Sequence, residues 1–389
     1  MIKRILYTLL IMFPVLASAQ INTDRVMAIG RNALYFEDYV LSIQYFNQVI
    51  NAKPYLSDPY FYRGLAKINL DDFQGAESDC SEAIERNPFV VSAYQVRGLA
   101  RIQQNNFAGA IEDYTKALEF DPENIGVWHN MALCRIRQED YKGAKNDLDK
   151  LIAISPRYTK AYLMRGEVDL KQKDTLAAEK DFGKAIEIDR YDADTWASRA
   201  ILRLQQQRYK DAEADFDHAI RLSTRNSGVY INRALARYHQ NNLRGAMSDY
   251  DIALDIDPNN FIGHYNRGLL RAQVGDDNRA IQDFNFVIEM EPDNMMAIFN
   301  RGLLLDQTGD YKGAIKDYST VINEYPNFLL GYQYRAQARR KIGDVKGADA
   351  DEFKVLKAQL DKQNGVDPNK QTADNTETVS YTHLTLPTI

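Results

Sequence analysis

Residues 302–326 read GLLLDQTGDYKGAIKDYSTVINEYP, and the spacing inside this one stretch decides the fold. Gly302 opens it, Gly309-Asp310 interrupts it, Ala314 and Tyr318 follow four apart, and Pro326 closes it. Residues four apart lie on the same face of a helix, so Ala314 and Tyr318 share one. A Gly-Asp pair breaks a helix, and proline cannot continue one. The stretch reads as one helix, a break and a second helix.

Working outward, the same order of residues returns every 34 positions. Blocks beginning at 23, 57, 91, 125, 159, 193, 227, 261, 295 and 329 run without a gap from Thr23 to Lys362. Place eight is Gly30, Gly64, Gly98, Ala132, Gly166, Ala200, Ala234, Gly268, Gly302 and Ala336, always Gly or Ala. Place twenty is Ala in every block after the first, which has Ser42. Place thirty-two is Pro54, Pro88, Pro122, Pro156, Pro258, Pro292 or Pro326 in seven blocks, so most of the chain's 11 prolines share one phase. Small residues at places eight and twenty let two helices approach closely. Aromatics answer them at place four (Tyr60, Tyr94, Trp128, Tyr162, Trp196, Tyr230, Tyr332) and place twenty-four (Phe46, Tyr114, Phe182, Phe216, Tyr250, Phe284, Tyr318). One hairpin has too little apolar area to fold alone, and stacking supplies the rest.

These residues resemble the tetratricopeptide repeat family over 23–362. The resemblance implies an all-α fold: a right-handed α-α superhelix, or solenoid, of ten 34-residue helical hairpins. It implies that first helices line a concave groove at places two, five, six, nine, twelve and thirteen. Arg190 and Thr224 depart from the expected proline, and Glu352 and Leu360 depart in block ten, which reads as a modified terminal cap.

Two further places depart from the family's Leu at seven and aromatic at twenty-three. Place seven carries Arg63, Arg97, Arg165, Arg199, Arg233, Arg267, Arg301 and Arg335; place twenty-three carries Asp from Asp79 to Asp351. Block one loses both together, having Ile29 and Tyr45, while block four sets Met131 against Asp147. The expectation is structural ion pairs between the two helices of a hairpin: Arg63–Asp79, Arg97–Asp113, Arg199–Asp215, Arg233–Asp249, Arg267–Asp283 and Arg301–Asp317. A second arginine four residues later (Arg101, Arg135, Arg203, Arg237, Arg271, Arg339) reads either as a solvated helix edge or as a basic strip for acidic ligands.

For binding, place six offers Asn130, Asn232, Asn266 and Asn300. An amide carries both donor and acceptor, so such a ladder reads as a holder of extended peptide backbone, or else as solvated groove positions. Phe61, Tyr265 and Phe299 at place five add apolar pockets, and Leu65, Leu99, Leu133, Leu235, Leu269 and Leu303 at place nine either join them or pack between first helices. The basic clamp some relatives use on a terminal carboxylate is not reproduced, since Lys160 has Met164 beside it.

No catalytic constellation, metal-ligand spacing or phosphate loop is present, so no enzyme, metal or cofactor is expected. The net charge of −6 over 389 residues gives no sign of nucleic-acid binding, and the mean hydropathy of −0.47 is that of a soluble protein. Cys80 and Cys134 fall two hairpin layers apart, too far for a disulfide, and read as buried thiols.

Both ends differ from the array. Lys3-Arg4, an apolar run from Ile5 to Leu16 and Ala17-Ser18-Ala19 make 1–19 a signal peptide cleaved after Ala19, which implies a periplasmic or extracellular protein without stable membrane insertion. Residues 363–378 read as a disordered linker. Residues 379–389 read as a sequencing-adapter artefact, because Val379 to Thr388 back-translate to a transposon-end adapter. The expected function is a non-catalytic scaffold binding a peptide segment or partner protein. The alternative is the recognition arm of a larger enzyme or envelope machine whose C-terminal domain is missing.

Overall fold

A computed structural model describes residues 22–222 and 225–363. The signal-peptide, linker and adapter readings of the two termini therefore lie outside the described residues, apart from Gln363. Among the described residues there are helices, turns and bends but no strand.

The chain divides after Asp189 into two compact units. The first holds five hairpins: α1 (Thr23–Tyr35) with α2 (Tyr39–Ala52), α3 (Asp58–Ile68) with α4 (Phe73–Arg86), α5 (Val91–Gln103) with α6 (Phe107–Phe120), α7 (Ile125–Arg137) with α8 (Tyr141–Ile154), and α9 (Thr159–Lys171) with α10 (Thr175–Ile188). The second holds five more: α11 (Ala193–Gln205) with α12 (Tyr209–Arg221), α13 (Ser227–His239) with α14 (Leu243–Ile256), α15 (Phe261–Gln273) with α16 (Asp277–Met290), α17 (Met295–Thr308) with α18 (Tyr311–Glu324), and α19 (Leu329–Lys341) with α20 (Val345–Gln363). Within each unit every helix packs on the one before it, so each unit is an all-α repeat solenoid.

One residue turns each hairpin. Place fifteen is left-handed throughout, at Glu37, Asp71, Asn105, Glu139, Lys173, Gln207 and Asn241 and at Gly275, Gly309 and Gly343. This conformation ends the first helix, and only glycine adopts it without steric cost. Place sixteen then caps the second helix in every repeat but those of Arg208 and Asp276: Asp72 Oδ1 accepts from the Gly75 amide at 2.9 Å, and Asp310 Oδ1 accepts from Gly313 at 3.0 Å.

The small residues at place eight seat the ring at place twenty-four. A methyl group placed on Gly166 would lie 2.6 Å from Phe182, and one on Gly98 would lie 2.8 Å from Tyr114. The rings of Phe46, Tyr114, Phe182, Phe216, Tyr250, Phe284 and Tyr318 are all fully buried, and so are the alanines at place twenty from Ala76 to Ala348. Cys80 and Cys134 sit in separate clusters as buried free thiols, pushed up by burial to about 12 and about 11 respectively. Among the described residues no helix is long and apolar enough to cross a membrane.

Candidate functional site

The place-seven arginines reach their own aspartates through two parallel bonds. Arg233 Nε lies 2.9 Å and Nη2 2.6 Å from the two carboxylate oxygens of Asp249, and Arg301 repeats this on Asp317 at 2.8 and 2.7 Å. Arg63–Asp79, Arg97–Asp113, Arg165–Asp181, Arg199–Asp215, Arg267–Asp283 and Arg335–Asp351 do the same within their hairpins. Such fork-to-fork pairs are directional as well as strong.

The third guanidinium nitrogen reaches backwards, which sequence reasoning missed. Nη1 of Arg165, Arg233 and Arg267 meets Asp149, Asp217 and Asp251, at place twenty-five of the preceding repeat, at 2.6–2.9 Å. Arg63, Arg97, Arg301 and Arg335 meet Asn47, Ser81, Asn285 and Ser319 there. Each of these arginines therefore spans three helices. The guanidiniums of Arg63, Arg97, Arg165, Arg199, Arg233 and Arg335 also lie over place-four rings, as with Arg199 over Trp196 at 5.1 Å and Arg233 over Tyr230 at 5.6 Å. An aromatic three residues before an arginine on one helix was the available signal.

The second arginines join the same aspartates. Arg101, Arg135, Arg203, Arg237, Arg271 and Arg339 lie 2.7–3.1 Å from the place-twenty-three carboxylate of their own hairpin. Arg101 and Arg237 also bond Glu77 and Glu213 of the preceding repeat at 2.8 Å. Repeat five reverses this last pair, with Asp169 bonded to Lys145. The basic strip for acidic ligands is therefore corrected: these cations are neutralised inside the array.

Repeat four lacks the place-seven arginine. Met131 replaces the arginine, and Asp147 keeps only Arg135, which it shares with Asp140. Burial pushes the Asp147 carboxyl up to about 6 despite that partner. At Asp283 burial acts in the same direction, but hydrogen bonds from His264 and Arg267 and the charges of Arg267 and Arg271 outweigh it and hold the carboxyl below its usual range.

The amide ladder is also corrected. Asn232, Asn266 and Asn300 are buried, and Asn130 is half-buried. Asn300 reaches into the seam between successive first helices, where its Nδ2 donates to the Tyr265 hydroxyl of the preceding repeat at 3.1 Å. Tyr265 and Phe299 are buried with them, and Phe61 is half-buried, so these rings are packing groups rather than open pockets. Phe299 meets Tyr318, Phe328 and Tyr334 edge-on or tilted at 5.1–5.9 Å.

One of the openings of the second unit is a cleft of ≈ 320 Å³ among α13, α15 and α17. Leu269 and Leu303, equivalent residues of repeats eight and nine, give it apolar walls. Gln273, Gln307, Asn300 and Tyr238 bring polar groups to the same space. Places nine, twelve and thirteen thus line it, together with Asn300 alone of the place-six amides. Among the described residues no cluster of His, Cys, Asp and Glu is arranged to hold a metal ion.

Comparison with known proteins agrees with this geometry. A TPR repeat model matches residues 98–134, a tetratricopeptide repeat model matches 125–158 and 159–192, and another matches 198–261 and 265–327, together more than half of the chain. No curated protein matches it. A tetratricopeptide repeat protein from Parabacteroides merdae is similar in structure, at 21% identity and TM-score 0.50, over 64% of this chain and 98% of that one. The C-terminal part of a TPR repeat-containing protein from Cytophaga hutchinsonii is similar at 17% identity and TM-score 0.51, over 61% and 97%. At these identities the likeness concerns the fold. With the matched repeats, the 34-residue hairpins and the seated rings, the chain belongs to the tetratricopeptide repeat family and is a scaffold for protein–protein interaction.

Proposed function

We propose that the chain is an exported, non-catalytic scaffold that seats a segment of a partner protein in the cleft of repeats seven to nine. The mixed lining of that cleft carries the reading. Leu269 and Leu303 offer apolar surface to a side chain, while Gln273 and Gln307 offer amides. A peptide entering such a cleft must have its backbone groups paired again, and amides can both donate and accept. The abundant acids support a non-catalytic role, because the place-twenty-three carboxylates are held by arginines. Export rests on residues 1–19, and N-terminal sequencing of the mature protein is expected to start at Gln20.

The test is a displayed library of twelve-residue peptides selected on the full chain, with binders measured by fluorescence anisotropy. Leu303→Glu is expected to weaken the selected peptides at least tenfold (about 1.4 kcal/mol) while leaving the helical spectrum unchanged. Peptides that bind this variant as well as the parent would remove the cleft from the proposal.

A further inference from the structure

The two ends of the array depart from its interior in matching ways. A solenoid end facing water is expected to carry a polar outer face. At place seven, the interior arginine gives way in repeat one to Ile29, which is 37% exposed. At place twenty-five, earlier repeats carry Asn47, Ser81, Thr115, Asp149, Gly183, Asp217, Asp251, Asn285 and Ser319; repeat ten carries Phe353, which is 66% exposed. Both changes run against solvation. The modified cap of block ten thus exposes a large aromatic among its polar residues.

Those two places face each other wherever repeats stack within a unit. Arginine at place seven bonds the preceding place twenty-five in seven junctions. In the eighth, Met131 meets Thr115 at 4.0 Å. Other facing places have changed together as well. Place four touches the preceding place thirty-two, as when Trp128 and Tyr162 donate to the carbonyls of Pro122 and Pro156. At the ends these places hold Val26 and Leu360, but Leu360 lies within α20, which runs on to Gln363 where the interior second helices have already ended. Place ten packs on the preceding place twenty-four, as Leu304 does on Phe284. At the ends these are polar Asn32 and Glu352. Place twenty-eight, an aliphatic covered by the next repeat's place three in the pairs Leu254–Gly263 and Ile322–Gly331, ends as Leu356 with 53% exposure.

We infer that the last hairpin of one copy of this chain receives the first hairpin of a second copy, with Phe353 against Ile29. The junction reuses the register of the interior ones but exchanges their ion pair for an apolar contact. It thereby distinguishes joining between chains from stacking within one. Arg25 stands at place three, where Gly263 and Gly331 stand in interior repeats, and its aliphatic stem covers Leu356 while its charge stays in water. A contact of this head-to-tail kind does not close on itself as a two-fold dimer does.

The experiment is sedimentation velocity on the full chain. The parent is expected to show a mass that rises with concentration and does not stop at the dimer. Ile29→Asp and Phe353→Asp each spoil one end, so each alone is expected to stay monomeric. An equimolar mixture retains one good head and one good tail and is expected to stop at twice the monomer mass. That mixture also shows that both variants are folded. Ile29→Arg with Phe353→Asp, which copies the interior pair, is expected to restore concentration-dependent growth. A parent that stays monomeric at every concentration would overturn the inference. So would a mixture without dimer alongside a failed double variant, or an Ile29→Asp chain that still associates, which would mean tail-to-tail pairing through α20.

Discussion

Replacing Asp249 by Asn removes one negative charge and almost no volume. Asp249 is 1% exposed and accepts from Arg233 Nε at 2.9 Å, Arg233 Nη2 at 2.6 Å and Arg237 Nη1 at 2.9 Å. The asparagine would turn an amide donor toward donors and leave two guanidiniums without their shared counter-charge. Breaking a buried pair by deleting one partner costs about 3–5 kcal/mol. Here the arginines are partly hydrated, and they keep Asp217 and Glu213 at 2.7 and 2.8 Å, which places the loss near the lower end, about 3 kcal/mol. For a unit of this size that corresponds to a drop of roughly 6–12 °C in Tm. The assay is a melt followed by circular dichroism, with hydrogen exchange to locate the loss in α13 and α14. As a control, Arg233, Arg237 and Asp249 replaced together by apolar residues are expected to lose less than the single change. A single variant melting within about 1 °C of the parent, a change worth well under 1 kcal/mol, would refute the claim that these pairs hold the register.

Two other outcomes follow from repeats four and five. Asp147 titrates at about 6 in the folded chain, above the ordinary aspartate value near 3.9, so its stabilising contribution is complete below about pH 4 and is lost as the pH rises through 6. Asp147→Asn is therefore expected to melt no lower than the parent at pH 7.5, the opposite of Asp249→Asn, and a clear drop in Tm would contradict this. Gly166→Ala puts a methyl group 2.6 Å from Phe182 and is expected to lose about 1–3 kcal/mol in urea unfolding. Adding Phe182→Leu, which copies the Ala132–Leu148 pairing of repeat four, should recover part of that loss; a double variant weaker than the single would mean the ring is not the obstacle.

Much of the fold was legible because each structural need repeats with the period of the chain. A small residue at place eight and a ring at place twenty-four recur often enough to be read as a contact. The joint loss of Ile29's arginine and Tyr45's aspartate in block one revealed a pairing in the same way. The backward reach to place twenty-five stayed hidden because its acceptor changes between Asp, Asn and Ser, so no single letter repeats. The orientation of Asn232, Asn266 and Asn300 was misread for a different reason. Periodicity says that equivalent side chains align, but whether they face water or the seam depends on how closely first helices approach. The cleft of repeats seven to nine is likewise a product of that spacing and has no letter of its own.

The three-helix reach of the place-seven arginines has a consequence for how the array comes apart. In a linear chain of units, the ratio of neighbour coupling to each unit's own stability sets how far a defect spreads. An arginine that bonds its own hairpin and the one before it adds to the coupling, so a hairpin cannot fray without loosening the one behind it. Repeat four, where Met131 contributes no charge, is the weak joint of the first unit, so unravelling that reaches it should halt there rather than run on through the unit.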